Sequence, residues 1–250
     1  MVSLLDSCGG MLKFLTGEFL RQSIWIQIRS TTVVAPKSAS EPRTTLSVLP
    51  SKVGRIEFIK GGQHCWRFRP HFHAGDEIVH LLAGRARLYL RDKFYEVSAG
   101  DTVVVPAGFV HRFAPVDEEG WSFISEFAVQ SPSPRLGYLP DDRSSLAAQA
   151  ASILARRKTL QSDLDEIAAA CSISPRYLSR RFRKEVGTSV HNFHSLLAIH
   201  RAKTLLRGQA SLVEAALDAG FYDQAHLTRE FVRTFGMTPG TFRSAWRAAA

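Results

Sequence analysis

The feature that most constrains this chain is an internal repeat in its second half. The segment LDEIAAACSISPRYLSRRFRKEVGTS from Leu164 recurs as LVEAALDAGFYDQAHLTREFVRTFGMT from Leu212. The offset is 48 residues at Leu164/Leu212 and 49 by Leu178/Leu227, Arg180/Arg229, Phe182/Phe231 and Gly187/Gly236, so one residue has been gained in the turn. A short helix, a tight turn and a longer arginine-bearing helix, written twice, is the pattern of two helix-turn-helix units.

Each unit carries its own start signals. Asp163 can cap the helix opening at Leu164, with Glu166 placed for a reciprocal capping box. Ser174 caps the next helix and Pro175 takes its first position. On that helix Leu178, Phe182 and Val186 form a buried stripe, which leaves Arg176, Ser179, Arg180 and Arg183 toward solvent. The second unit repeats the logic: Asp223 caps, Leu227, Phe231 and Phe235 face inward, and Gln224, His226, Thr228 and Arg229 lie on the early, exposed turns. Gln can read adenine and Arg guanine in bidentate fashion, and helix N-termini suit phosphates. The alternative is a solvated basic face, with Arg180 and Arg229 pairing with acids or holding the fold. Between the units, SVHNFHSLLAIHRAKTLLR reads as one long helix, able to set two readers about one DNA turn, roughly 34 Å, apart.

Charge follows the same division. The chain has a formal net charge of +9. Residues 141–250 hold 16 Lys and Arg against 10 Asp and Glu, a net of +6. A basic excess favours acidic polymers, nucleic acid first. Cys8, Cys65 and Cys171 are far apart and odd in number, which argues against a disulfide framework and for a reducing cytoplasm. MLKFLTGEFLRQSIWIQI is broken by Lys13, Glu18 and Arg21, so neither a signal peptide nor a membrane span is read there.

Four segments result. Residues 1–45 are a poorly defined leader, with apolar residues from Met11 to Ile28 at roughly helical spacing and a linker-like stretch behind them. Residues 46–130 are β-like: RIEFI, CWRFR, EIVHLLA, RARLYL, KFYEV and DTVVVP are short runs separated by Gly, Pro and Asp, which argues for a sandwich or barrel. Its interior is read as Trp66, Phe68, Val79, Leu81, Leu88, Val103 and Val105. Residues 131–143 form a Pro-rich linker, and 144–250 an all-α domain. The fold class is thus two-domain α+β.

The helical domain resembles that of AraC/XylS-type transcriptional regulators. GFYDQAHLTREFVRTFGMTPGTFR carries Gly220, Phe221, Asp223, Leu227, Arg229, Phe231, Phe235, Gly236, Pro239 and Phe242 in the family's pattern. Departures fall at Ser172, where glycine is frequent, at Val190, usually proline, and at Ala198, often arginine. The resemblance implies DNA contacts at Arg176, Ser179, Arg180, Gln224, His226, Thr228 and Arg229, and Arg183 joins them as part of the same solvent-facing side of its helix.

The β half resembles the cupin barrel. His71, His73, Glu77 and Gly84, then Gly100, Pro106, Gly108 and His111, match its two motifs, although Cys65 stands where the first motif opens with glycine and Pro115 where asparagine often follows. Strand alternation puts His71 and His73 on one face, and a neighbouring strand can bring Glu77 and His111 to them. Three imidazoles and a carboxylate suit Zn, Fe, Mn or Ni. The same side chains, with Trp66, can instead line a pocket for an organic ligand. His80 is expected to point outward.

Together the resemblances imply a sequence-specific transcriptional regulator, not an enzyme, whose cupin-like β-barrel senses a small ligand and modulates promoter binding. Expected partners are promoter double-stranded DNA, a small-molecule effector and, for an activator, RNA polymerase; a homodimer is compatible and no membrane is expected. The alternative is a metal-dependent cupin enzyme with a nucleic-acid-binding helical tail.

Overall fold

A computed structural model describes residues 26–28, 44–51, 54–62, 68–129, 145–160 and 163–249. Trp66, His64, Cys65, Cys8, the 131–143 linker and most of the 1–45 leader lie outside the described residues.

The β half holds β1 (Ile26–Ile28), β2 (Thr44–Ser51), β3 (Gly54–Gly61), β4 (Glu77–Leu90), β5 (Lys93–Ser98), β6 (Asp101–Val105), β7 (His111–Pro115) and β8 (Trp121–Val129). All pairings are antiparallel. β4 organises the sheet. The two runs read separately as EIVHLLA and RARLYL are one strand of 14 residues. Its first part pairs with β6 and β8 and its second with β5 and β7, and a register shift between Leu81 and Ala83 bends it. Inward-facing residues alternate along it: Val79, Leu81, Ala86 and Leu88 are almost wholly buried, as are Val103 and Val105 on β6.

Two expectations need correction. The strand order β1-β6-β4-β8-β3-β2 is an open path, so among the described residues the sheet does not close into the expected barrel. The free side of β2 is taken instead by the helical half: its last helix, Pro239–Ala248, packs against β2, and the Thr44 hydroxyl donates to the Phe235 carbonyl at 2.8 Å. An edge strand covered in this way needs no strand partner. Part of the leader is also strand, since Ile26 pairs with Val103 and Ile28 with Asp101. β-Branched isoleucines extend readily, so the helical spacing read across Met11–Ile28 does not hold at its end.

The helical half holds α1 (Leu146–Arg156), α2 (Leu164–Ala170), α3 (Pro175–Val186), α4 (Val190–Arg207), α5 (Leu212–Ala219), α6 (Gln224–Phe235) and α7 (Pro239–Ala248). The repeat is visible in the backbone: Ser172 at φ 56° matches Gly220 at φ 98°. One residue separates Ser172 from the Ser174 cap and two separate Gly220 from the Asp223 cap, so Tyr222 is the residue gained in the turn. Only glycine adopts that conformation without strain, so the frequent glycine is replaced at a position that still turns left-handed.

Ser174 accepts from the Tyr177 amide and Asp223 from the His226 amide, as their positions predict. The first-unit capping box does not form. Asp163 accepts from the Asp165 amide at 2.8 Å, and the Glu166 carboxylate is drawn away by Arg157 at 2.8 Å. A complete box forms at Ser211 and Glu214. α4 is buried around most of its circumference, from Val190 to Leu206, as a central helix must be. α1 packs on α3 and α4 and belongs to this domain.

Candidate functional site

His71 and His111 form an isolated antiparallel bridge, exchanging backbone hydrogen bonds of 2.9 and 2.8 Å. The chain leaves regular structure after His71, yet its alternation persists. Phe72 turns toward the helical half, stacking on His200 with ring centroids 4.4 Å apart, while His71 and His73 turn into the sheet. There the ligand nitrogens of His71, His73 and His111 lie within 4.8 Å of one another. Glu77, opening β4, places Oε2 2.8 Å from His111 Nε2 and 3.5 Å from His73 Nε2. All four are buried. The four residues expected to converge do so.

Their hydrogen bonds fix which atoms face the centre. His71 Nδ1 stands 2.9 Å from the Arg69 carbonyl and His111 Nδ1 3.0 Å from that of Phe109. A carbonyl only accepts, so each Nδ1 carries the proton, and the outer bond orients the ring as in metal-bound histidines. His73 Nε2, His111 Nε2 and Glu77 Oε2 make no well-aligned hydrogen bond among the described residues despite their closeness. Buried polar atoms left this way are costly, and three converging on one point fit a cation.

The electrostatics agree. Burial, then the His111 imidazole, pushes His71 down to about 4. Burial, then His71 and His111, holds His73 well below the usual range. Both are neutral at physiological pH, the form that binds a metal. Burial alone would raise the Glu77 carboxyl, but the His111 and His71 imidazoles outweigh it and hold it below its ordinary value.

Around this cluster lies a small apolar pocket lined by Ile59, Phe68, Phe113, Trp121, Phe123 and Phe127, with Ser125 and, from the other half of the chain, Thr234 and Phe235. Of the interior residues named from sequence, Phe68 is on its wall, whereas Val79, Leu81, Leu88, Val103 and Val105 are packed core. The aromatic wall from β7 and β8 was not identified from sequence, although FAP and WSFISEF show the alternation that could have found it. The Trp121 indole nitrogen has no hydrogen-bond partner among the described residues. His80, as expected, points away, with its side chain 37% exposed and 3.3 Å from Glu126.

The halves meet across buried polar contacts. Glu57, on β3, is 1% exposed. It receives Arg207 Nη2 at 2.7 Å, Lys203 Nζ at 3.4 Å and Trp246 Nε1 at 2.8 Å. Burial opposes its charge, but Lys203 and Arg207 prevail and bring its pKa to about 2. His200 Nε2 lies 2.9 Å from the Phe72 carbonyl, and Arg69 binds Glu230 at 2.9 Å. A Cβ on Gly236 would stand 2.6 Å from the Phe68 ring, so that ring packs directly against the residue that caps α6.

A family model described as an AraC-like ligand binding domain matches residues 53–186, more than half of the 250-residue chain. The chain belongs to the AraC family. A second family model, a helix-turn-helix domain, matches 167–245. The regulator MtrA of Neisseria gonorrhoeae is 33% identical over 82 residues, 32% of this chain and 27% of that protein. RipA of Corynebacterium glutamicum is 33% identical over 116 residues, 46% of this chain and 34% of that protein. The match thus spans only about a quarter to a third of the length of such relatives. Among solved structures, ToxT from Vibrio cholerae shares 9% identity, with 81% of this chain and 97% of that chain covered at a TM-score of 0.49.

On the AraC-type helical half, the expected reader side chains divide into two sets. Arg176, Ser179, Arg180 and Arg183 are all exposed on α3, and Gln224 and Arg229 on α6. Arg180 lies over the Tyr177 ring at 5.5 Å, and among the described residues it forms no ion pair. His226 and Thr228 are half-buried. The His226 ring meets Phe221 edge-on at 5.2 Å, and the Thr228 hydroxyl donates to the Gln224 carbonyl at 2.8 Å. These two side chains are engaged locally, a consequence of helix-start geometry that periodicity alone does not reveal. No helix of the described residues is long and apolar enough to cross a membrane.

Proposed function

We propose that this chain is a one-component, cytoplasmic transcription factor that reads promoter DNA with α3 and α6 and is set by a small effector held in the pocket of its β half. One observation carries the reading. Thr234 and Phe235, the last residues of reader helix α6, are part of the wall of the pocket that contains His71, His73 and Glu77. Whatever fills that pocket bears directly on the element that enters a major groove. Such a ligand shifts DNA affinity by the difference between its affinities for the two docking arrangements.

His71, His73, Glu77 and His111 are the residues that would hold a divalent metal, zinc, iron, manganese or nickel. The metal would take His73 Nε2, His111 Nε2 and Glu77 Oε2 as ligands and balance the charge of Glu77. It would also give an effector's oxygen or nitrogen atom a point of attachment. Arg176, Ser179, Arg180 and Arg183 serve the first half-site, and Gln224, His226, Thr228 and Arg229 the second, through bases or phosphates. RNA polymerase is a further partner if the protein activates, and a homodimer is compatible with the exposed readers.

A second reading has its own support in the same cluster: three imidazoles and a carboxylate beside an apolar pocket are also the equipment of a cupin oxygenase. Genomic fragments retained by the full chain, footprinted on both strands, separate the two. The regulator gives two protected segments about one helical turn, roughly 34 Å, apart. An enzyme with a basic tail retains fragments without sequence preference and turns over a substrate.

A further inference from the structure

The turn between β4 and β5 does not project into solvent away from the readers. Arg91 and Asp92 line one open cleft with Arg176, Ser179, Arg180, Arg183 and Lys184 of α3. The approach is close: a Cβ on Gly187, which caps α3, would stand 3.3 Å from the backbone of Arg91. The turn thus sits at the C-terminal end of the first reader helix. In helix-turn-helix docking the N-terminal residues enter the groove, so the neighbourhood of the C-terminal end is the flanking sugar-phosphate strand.

The charge of the cleft is one-sided. Five cationic side chains face one carboxylate, and among the described residues no ion pair ties Asp92 to the cations of α3. A contact that masked the reader would set acids against its arginines. This one adds an arginine to them, and a cleft lined by one sign of charge concentrates the opposite sign. The backbone underlines the position. Arg91 is the first residue of a two-residue turn and has φ 56°, where glycine is favoured and a side chain costs strain. A long cationic side chain is held there regardless.

From these observations, and resting on the DNA-binding reading above, we infer that the β4–β5 turn of the ligand-binding half is a third DNA-contacting element: Arg91 engages a phosphate beside the segment read by α3. The docked arrangement of the two halves is then the one that holds DNA most tightly. Undocking the β half removes that contact.

Binding of the full-length chain to a random-sequence duplex of about 30 base pairs, titrated across salt, tests this, because the phosphate contribution is independent of sequence. Arg91→Asn tolerates the left-handed turn. It is expected to weaken binding and to lower the slope of log affinity against log salt by about one. Asp92→Asn is expected to strengthen binding. Arg85→Ala, which removes the same charge six residues up β4 where Arg85 pairs with Asp117, is expected to leave the slope unchanged. Equal slopes for wild type and Arg91→Asn, or tighter binding by Arg91→Asn, would overturn the inference while leaving DNA binding intact. No binding by wild type at any salt would overturn the functional reading with it.

Discussion

The ring of Phe235 stands 6.0 Å from the His71 imidazole and 6.1 Å from that of His73. The same residue closes α6 and accepts the Thr44 hydroxyl of the sheet on its carbonyl. Pocket and α6 are therefore in van der Waals reach.

Shortening that side chain should separate sensing from reading. Phe235→Leu keeps the site apolar while withdrawing the ring from the histidines, at a stability cost of roughly 1–2 kcal/mol by urea unfolding. DNA affinity of the variant measured with and without added divalent metal is expected to differ much less than for wild type. A metal response of undiminished size would show that the signal does not pass through Phe235.

The Glu57 cluster should dominate the stability of the docked arrangement. Glu57→Gln leaves Lys203 and Arg207 without their carboxylate in a buried site, and removing one partner of such a pair costs roughly 3–5 kcal/mol. The pH dependence has a definite sign. The Glu57 carboxyl is brought to about 2 from an ordinary 4.5, so its stabilisation is full above pH 4.5 and is lost as pH falls toward 2. Burial, outweighing Glu57, takes Lys203 to about 8 from 10.5, so the cost of its buried charge is relieved as pH rises through that window. Urea midpoints of wild type between pH 2 and 5 should show an acid limb that is reduced in Glu57→Gln.

Much of this was legible in the chain. The repeat marked both helix-turn-helix units and the Ser174 and Asp223 caps, because helix periodicity and capping chemistry are local. Alternation, which is local, put His71 and His73 on one face, while Glu77 and His111 were joined to them only through the resemblance to the cupin motifs. What was not legible is long-range. Glu57, Lys203 and Trp246 are nearly 190 residues apart at their extremes, and nothing near any of them signals the others. Helical spacing places Phe235 in a helix core, and nothing near it in the chain signals that its ring also lines the pocket. Glu166 could not be kept from the capping box without knowing that Arg157 lies beside it.

The reader assignment predicts a divided footprint. Arg176→Ala with Arg180→Ala should weaken protection of one half of the site, and Gln224→Ala with Arg229→Ala the other, with each base contact worth about 1–3 kcal/mol. His226→Ala should act differently. Its ring packs on Phe221, so the loss should show as a lower melting temperature as well as weaker binding. Unaltered protection of both halves in the Arg176/Arg180 variant would place the first reader elsewhere.

The metal site is tested most directly by elemental analysis of protein after gel filtration. The wild-type chain is expected to carry about one divalent ion, and a His71→Ala, His73→Ala double variant none. Because His71 and His73 are already held neutral by burial, neither should have to release a proton when the metal binds. Glu77→Gln makes a sharper comparison, since it keeps the shape and removes the charge that the ion would balance. If both variants fold and wild type still holds no metal, the unpartnered nitrogens serve the effector itself. The search then turns to organic molecules with a hydrogen-bonding head and an apolar body, which the aromatic wall of Phe113, Trp121, Phe123 and Phe127 would enclose.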